Sequence, residues 1–523
     1  MNAITGLTPL SPLYKTQLST TLPVQPAGQT SADTSLPATS VILGQDNSVS
    51  DSQTYSRQGQ MPGAQTHYSW EADATDPLSA LILAQLKSGP SGARFQGLGA
   101  ALLEQLAANG GKAISQSVFA SGSEISGPAA LKPLQDDLRA HPNNSLTFSL
   151  TTASGATVQL SLASNDQGLA VNAEVLGGEL SASELKGLSA LASSFQSAID
   201  GLSQVPPKLQ LGELTQLDPK LFTSLQLNAK LQTPDGDQLF ELRLDEKSRS
   251  VSLQGPSGEL KLELDASNLQ LLGNVTQRQS AINNYLEQFD AAQKRGQGDK
   301  DLISLFKDAF VQLNSADDQR SAAAEDRLSE KDRTLLSGLA DFSASINETE
   351  RYNNPMRPLE AERFSYTVSQ TSSVNDEKPL ELDVQQQQQS ALKASYHQSL
   401  NPLVALTLSS ERESQNYRYY EINDQASSST RIAYHKGRLI EASATQQSTQ
   451  NERVRTYVNG DLTRDLQTPA SVTESRNLLS MINEVFEQER ISQRDHRVSV
   501  LEGLLMPQRK NWLLQSSASK IAD

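Results

Sequence analysis

Between Thr223 and Asp265 almost every second residue is apolar, a spacing that only a pleated strand turns into one continuous apolar face. Leu225, Leu227, Ala229 and Leu231 alternate with Gln226, Asn228, Lys230 and Gln232. Phe240, Leu242 and Leu244 repeat the pattern, as do Val251 and Leu253, then Leu260, Leu262 and Leu264. A period of two sends all these groups to the same side of a sheet. The breaks between the runs, Pro234-Asp235-Gly236-Asp237, Glu246-Lys247-Ser248-Arg249 and Gly255-Pro256-Ser257-Gly258, are turn chemistry. The stretch therefore reads as a four-stranded antiparallel meander, and its apolar face has to be covered.

The cover is predicted to be helical. Leu185, Leu188, Leu191, Phe195, Ile199 and Leu202 recur at spacings of three and four, after a capping box of Ser181 and Glu184. Ile282, Leu286 and Phe289 form a second stripe, and Leu302, Phe306, Phe310 and Leu313 a third. A fourth, Leu335, Leu339, Phe342 and Ile346, extends the helical reading to residue 346. Asp76-Pro77 opens a helix upstream, and residues 95–106 read as another.

Residues 145–175 look like a smaller copy of the central meander. This leaves two readings, a duplicated unit (145–202 and 223–315) or two parts of one larger sheet joined across the helix at 184–202. A second sheet is expected near the C-terminus. Its short strands are centred on Tyr420 and Ile422, Ile432 and Tyr434, Ile440 to Ala444, and Val454 to Val458, with hairpins at Lys436-Gly437 and Asn459-Gly460. A helix opened by Ser471 and Glu474 would follow, with Leu478, Ile482, Val485 and Phe486 inward.

The fold class is α+β, antiparallel meanders covered by amphipathic helices, with a separate C-terminal α+β region. The expected divisions are a disordered leader (1–70), a helical segment (71–140), a meander-plus-helix domain (141–350), a linker-like region holding the run Gln385 to Gln389 (351–410), and the C-terminal sheet with its helix (411–523). The leader is rich in Ser, Thr, Pro and Gln and too poor in apolar groups to offset the entropy of ordering.

Composition narrows the chemistry. A net charge of −16 disfavours nucleic acid and anionic membranes. With no cysteine there are no disulfides, thiol nucleophiles, thiolate metal sites or iron–sulfur clusters. No run of 18 apolar residues suggests a membrane span. The start has neither the basic nor the apolar region of a secretory signal, so the chain is expected in the cytoplasm or exported by a route needing no such signal.

Catalytic motifs do not emerge. The five histidines, His67, His141, His397, His435 and His496, share no ligand spacing. Gly97-Leu98-Gly99 lacks the preceding strand and third glycine of a dinucleotide fingerprint. The Asp235-Gly236-Asp237 and Asn165 to Gly168 turns have too few acids to favour calcium over a plain turn. No cofactor or metal is expected. Interleaved Tyr and Arg are more distinctive, because both are enriched where proteins grip partners. Tyr417, Tyr419, Arg453, Arg455 and Tyr457 are the candidate partner-binding residues, and alternation against Val454 and Val458 sends the last three to the solvent face. Cross-strand pairing in an exposed sheet is the plainer explanation.

GELSASELKGLSALASSFQSAIDGL and ERVRTYVNGDLTRDL resemble stretches of a family of uncharacterised bacterial proteins, over residues 180–202 and 417–464. The resemblance implies no established function. The dehydrogenase label attached to some such proteins would need a dinucleotide fingerprint and βαβ alternation, and the sequence has neither. The expectation is a non-enzymatic interaction or structural protein with a protein partner, exported or attached to a bacterial surface structure. The alternatives are a cytoplasmic scaffold binding through the Tyr/Arg sheet, and an enzyme whose site follows no familiar motif.

Overall fold

Among the described residues both meanders, and every strand after them, join a single sheet of fifteen strands with all neighbours antiparallel. The computed structural model describes residues 66–71, 75–88, 93–121, 127–315, 328–376, 380–495 and 498–522. The expected leader, apart from its last residues, lies outside them. Those last residues form strand β1 (His67–Trp70), which pairs with β2 (Ile114–Ser121). In the segment read as helical, β2 thus stands among α1 (Pro77–Lys87), α2 (Leu98–Ala108) and α3 (Pro128–Ala140).

The first meander is β3 (Asn144–Thr152), β4 (Thr157–Ser164) and β5 (Gly168–Leu176), followed by α4 (Ala182–Leu202). The capping box of Ser181 and Glu184 is formed. The second is β6 (Phe222–Thr233), β7 (Gly236–Asp245), β8 (Ser248–Gly255) and β9 (Gly258–Asp265), then α5 (Val275–Gly296) and α6 (Lys300–Ser315). β3 pairs directly with β6, so the two meanders are parts of one sheet. The order is β1-β2-β5-β4-β3-β6, and from β6 each strand pairs with its successor.

The helix stripe ending at Ile346 is overturned. Its last part is β10 (Asp341–Glu348), where Phe342, Ala344 and Ile346 point inward at period two and β9 supplies a ladder along its length. The linker-like region is β11 (Arg363–Asn375) and β12 (Leu382–Ser399), and the glutamine run is the middle of β12. The described residues fall in one compact unit, in which β10 pairs with β11 across the division expected between residues 350 and 351.

Four short strands expected near the C-terminus merge into two long ones, β13 (Tyr417–His435) and β14 (Arg438–Val458). Lys436-Gly437 and Asn459-Gly460 make the tight turns, all four residues at positive φ as the primed turn requires. β15 (Asp461–Asn477) runs through the expected cap at Ser471, because its pairing with β14 continues past that residue to Asn477. The last helices are α7 (Leu479–Arg494), α8 (Leu501–Leu505) and α9 (Ala518–Ala522).

Most of the helices lie on one face; α3 packs on the other, its Leu131 and Leu138 against Phe119 of β2 and Ala170 of β5. Leu146, Phe148, Leu227, Leu242 and Leu262 from the strands pack with Phe195 and Ile199 of α4 and with Phe289, Phe306 and Phe310 of α5 and α6. Gly99 serves this packing, since a Cβ there would meet Ile199 at 2.5 Å. The opposite face carries hydroxyls and amides. A hollow of about 820 Å³ crosses it, lined by groups such as Ser252, Ser343, Thr367, Gln389, Gln425 and Thr449.

Candidate functional site

The Tyr/Arg residues meet at one end of this polar face. Register places Tyr417 beside Tyr457, Tyr419 beside Arg455 and Glu421 beside Arg453 on β13 and β14, with His397 of β12 opposite Tyr419. All of these share one face because a strand alternates and paired residues point the same way. Tyr420 and Tyr434 have the other parity and face the helices, where Tyr420 stacks on Tyr396 at 4.8 Å.

The rings do not meet solvent as the alternation alone suggests. Tyr417, Tyr419 and Tyr457 are buried, because the connections 349–362 and 400–416 fold over them. Leu406 and Leu408 pack on all three rings. A single carboxylate lies at the centre. Glu360 accepts from the Tyr417 hydroxyl at 2.7 Å and the Tyr457 hydroxyl at 2.8 Å, with the Arg455 guanidinium 3.2 Å away. His397, its side chain 1% exposed, has Nε2 3.5 Å from Glu360 and Nδ1 3.1 Å from Glu362. Asn354 donates to the Tyr417 oxygen at 2.8 Å, and Tyr419 donates to the Ala361 carbonyl at 2.8 Å. The Arg357 guanidinium lies 4.1 Å from the Tyr457 ring centre and donates to the Gly460 carbonyl at 2.6 Å. Of the five candidates only Arg453 stays substantially exposed, paired with Asp465 at 2.7 Å.

The electrostatics are those of a mutually neutralised cluster. Burial would raise the Glu360 carboxyl, but hydrogen bonds from His397, Tyr417 and Tyr457 and the Arg455 charge hold it below the usual range. Glu362 is likewise lowered, burial being outweighed by His397 and Arg351. Burial would lower His397, yet the two carboxylates raise it. Tyr417 and Tyr457 are raised by burial and by Glu360, so they remain protonated donors. Both oxygens of Glu360 are taken up by protein groups. The arrangement clamps two loops to the sheet and leaves little proton affinity for general-base work.

Glu360, Glu362, His397, Asn354 and Arg357 escaped sequence reasoning. Glu360 and Glu362 lie in the region read as linker-like, and His397 shows its partner only if β12 is recognised as one strand through its glutamines. Gly97-Leu98-Gly99 proves to be packing, with Gly97 in the left-handed region at the start of α2.

Among the described residues no group of three or more His, Asp or Glu could hold a metal ion. None of the described helices is long and apolar enough to cross a membrane. Comparison of the chain with family models, curated proteins and solved structures finds no match.

Proposed function

We propose that the protein is a non-enzymatic interaction protein whose partner, another protein, meets the loops clamped over the Tyr/Arg end of the sheet. The observation that carries this reading is the contrast within those loops. Their inner side is fastened by Glu360, His397 and the tyrosines, while Leu359 and Leu403 stand 94% and 93% exposed. Tyr352, Met356 and Val404 are exposed in the same two loops, and Val458 and Leu462 flank the neighbouring hairpin. The Arg412–Asp461 pair at 2.8 Å ties the second loop to that hairpin. Large apolar side chains held rigidly in water lose little further entropy on docking, which favours binding.

Cross-linking in native cells, with the wild type compared against Leu359→Asp/Leu403→Asp, tests the proposal. The expected result is loss of partners recovered with the wild type, while circular dichroism and the melting temperature stay unchanged. An identical set of cross-linked proteins from a folded double variant would sink it.

A further inference from the structure

On the helix side, β12 to β14 are roofed partly by an irregular segment, residues 510–517. Trp512, Leu513, Leu514 and Gln515 are 0%, 3%, 0% and 6% exposed. Residues 514–517 belong to no helix or strand, and their backbone is bound by side chains. Ser428 donates to the Trp512 carbonyl at 2.6 Å, and Gln446 to the Leu513 carbonyl at 2.6 Å and the Lys510 carbonyl at 2.9 Å. The Leu514 amide donates to Gln388 at 2.8 Å, and its carbonyl accepts from Asn284 of α5 at 3.0 Å. The Ser516 amide donates to Gln288 of α5 at 2.8 Å, and its carbonyl accepts from Ser448 at 2.7 Å. The readers are themselves held: Arg476 donates to Gln446 at 2.7 Å, and Gln388 to Gln386 at 3.1 Å.

Six side chains from three strands and one helix thus hold the main chain of this buried segment. Fixed amides and hydroxyls reading a peptide backbone are the chemistry of a peptide-binding groove. Trp512 and Leu513 also pack in the core with Val384, Ile432 and Ala444, and two further features mark the groove. A cleft of about 740 Å³ runs along the segment between it and α5, lined by residues such as Asn283, Asn284, Glu287, Lys510, Leu513 and Gln515. The buried Trp512 indole N–H has no acceptor, so the present occupant leaves one donor unpaired. The floor left if the segment departed holds Gln388, Ser428, Gln446 and Ser448, groups that water can solvate, beside the apolar Ile432 and Ala444.

We propose that the groove between α5 and β12–β14 is a peptide-binding site, filled in cis by residues 512–516, that takes the same segment from a second copy of the chain. Exchange of an identical segment preserves every bond of the cis form when its flanking anchors, Arg509 on the Gln277 carbonyl at 3.0 Å and the buried Ile521, are exchanged with it.

A fluorescent peptide spanning residues 509–519 is the probe, titrated into full-length protein and followed by anisotropy. Trp512→Ala/Leu514→Ala, which weakens the cis occupant, should bind the peptide at least tenfold more tightly than the wild type. Adding Gln446→Ala should reverse that gain. A folded double variant that binds no better than the wild type overturns the proposal. Should the variant not fold, hydrogen exchange on the wild type decides. An excess of unlabelled peptide, against a scrambled control, should speed exchange at the Leu514 and Ser516 amides while β12–β14 stay protected. No acceleration overturns the proposal equally.

Discussion

The two halves of the sheet cover the same face by different means. From β3 to β9 the inward residues are Leu, Phe and Val, and helices α2, α4 and α6 lie on them with apolar stripes of their own. From β11 to β14 many inward residues are polar: Gln370, Gln386, Gln388, Ser428, Thr430, Gln446 and Ser448 are all buried. Irregular chain covers much of that half, in residues 333–340 as well as 510–517. Gln370 donates to the Leu339 carbonyl at 3.1 Å, and the Ser337 amide donates to Gln386 at 2.8 Å. A helix satisfies its own backbone and needs only an apolar floor. Irregular chain cannot, so the floor beneath it must supply donors and acceptors. The glutamines are therefore the counterpart of the missing helix.

If that contrast is right, deletions in the two halves should differ in size and in kind. Phe195→Ala, which empties a ring packed at 4.6 Å on Phe148, should cost about 3–5 kcal/mol in chemical denaturation. Gln446→Ala should cost about 1–3 kcal/mol, because it strands two buried carbonyls and leaves no large cavity. Hydrogen exchange should localise its effect to residues 510–517, whereas the Phe195 variant should loosen the whole unit. Equal global losses from both would erase the distinction.

The clamp on the opposite face predicts a pH signature. The raised His397 contributes stability that is fully present below its ordinary value of 6.5 and is lost as pH rises through its folded value. The lowered Glu360 and Glu362 contribute stability that is present above 4.5 and lost as pH falls through their folded values. The difference in stability between wild type and His397→Gln should therefore be largest between about pH 4.5 and 6.5 and shrink at higher pH, as read by denaturation at each pH. A difference that grows above neutrality would contradict the proposed charge state. Smallest of all, Arg453→Ala removes only exposed pairs with Asp465 and Glu421 and should leave the melting temperature unchanged within error.

How legible each region is follows from what buries it. Leu225 to Leu264 announce their strands because burial of an apolar face writes a period of two into the composition. Val384 to Ser390 bury every second residue just as strictly, yet Gln386 and Gln388 look like their exposed neighbours Gln385, Gln387 and Gln389. Their burial depends on Ser337 and Leu514, 49 and 126 residues away. The same distance hides the clamp: Tyr417, Tyr419, Arg455 and Tyr457 could be grouped by strand parity, but Glu360, 57 residues before Tyr417, could not. Parity gives the face of a strand and says nothing about which loop roofs it.

The order of residues alone therefore determined the α+β class, the antiparallel hairpins with their turns at Lys436-Gly437 and Asn459-Gly460, and the capped helix α4. These follow from local periodicity and local backbone preference. Tertiary structure decided that all the described strands join one sheet, that alternate members of a glutamine run are interior, and that one carboxylate binds two buried tyrosines. Each of those outcomes rests on hydrogen bonds between segments far apart in the chain, whose partners become neighbours only once the sheet has formed.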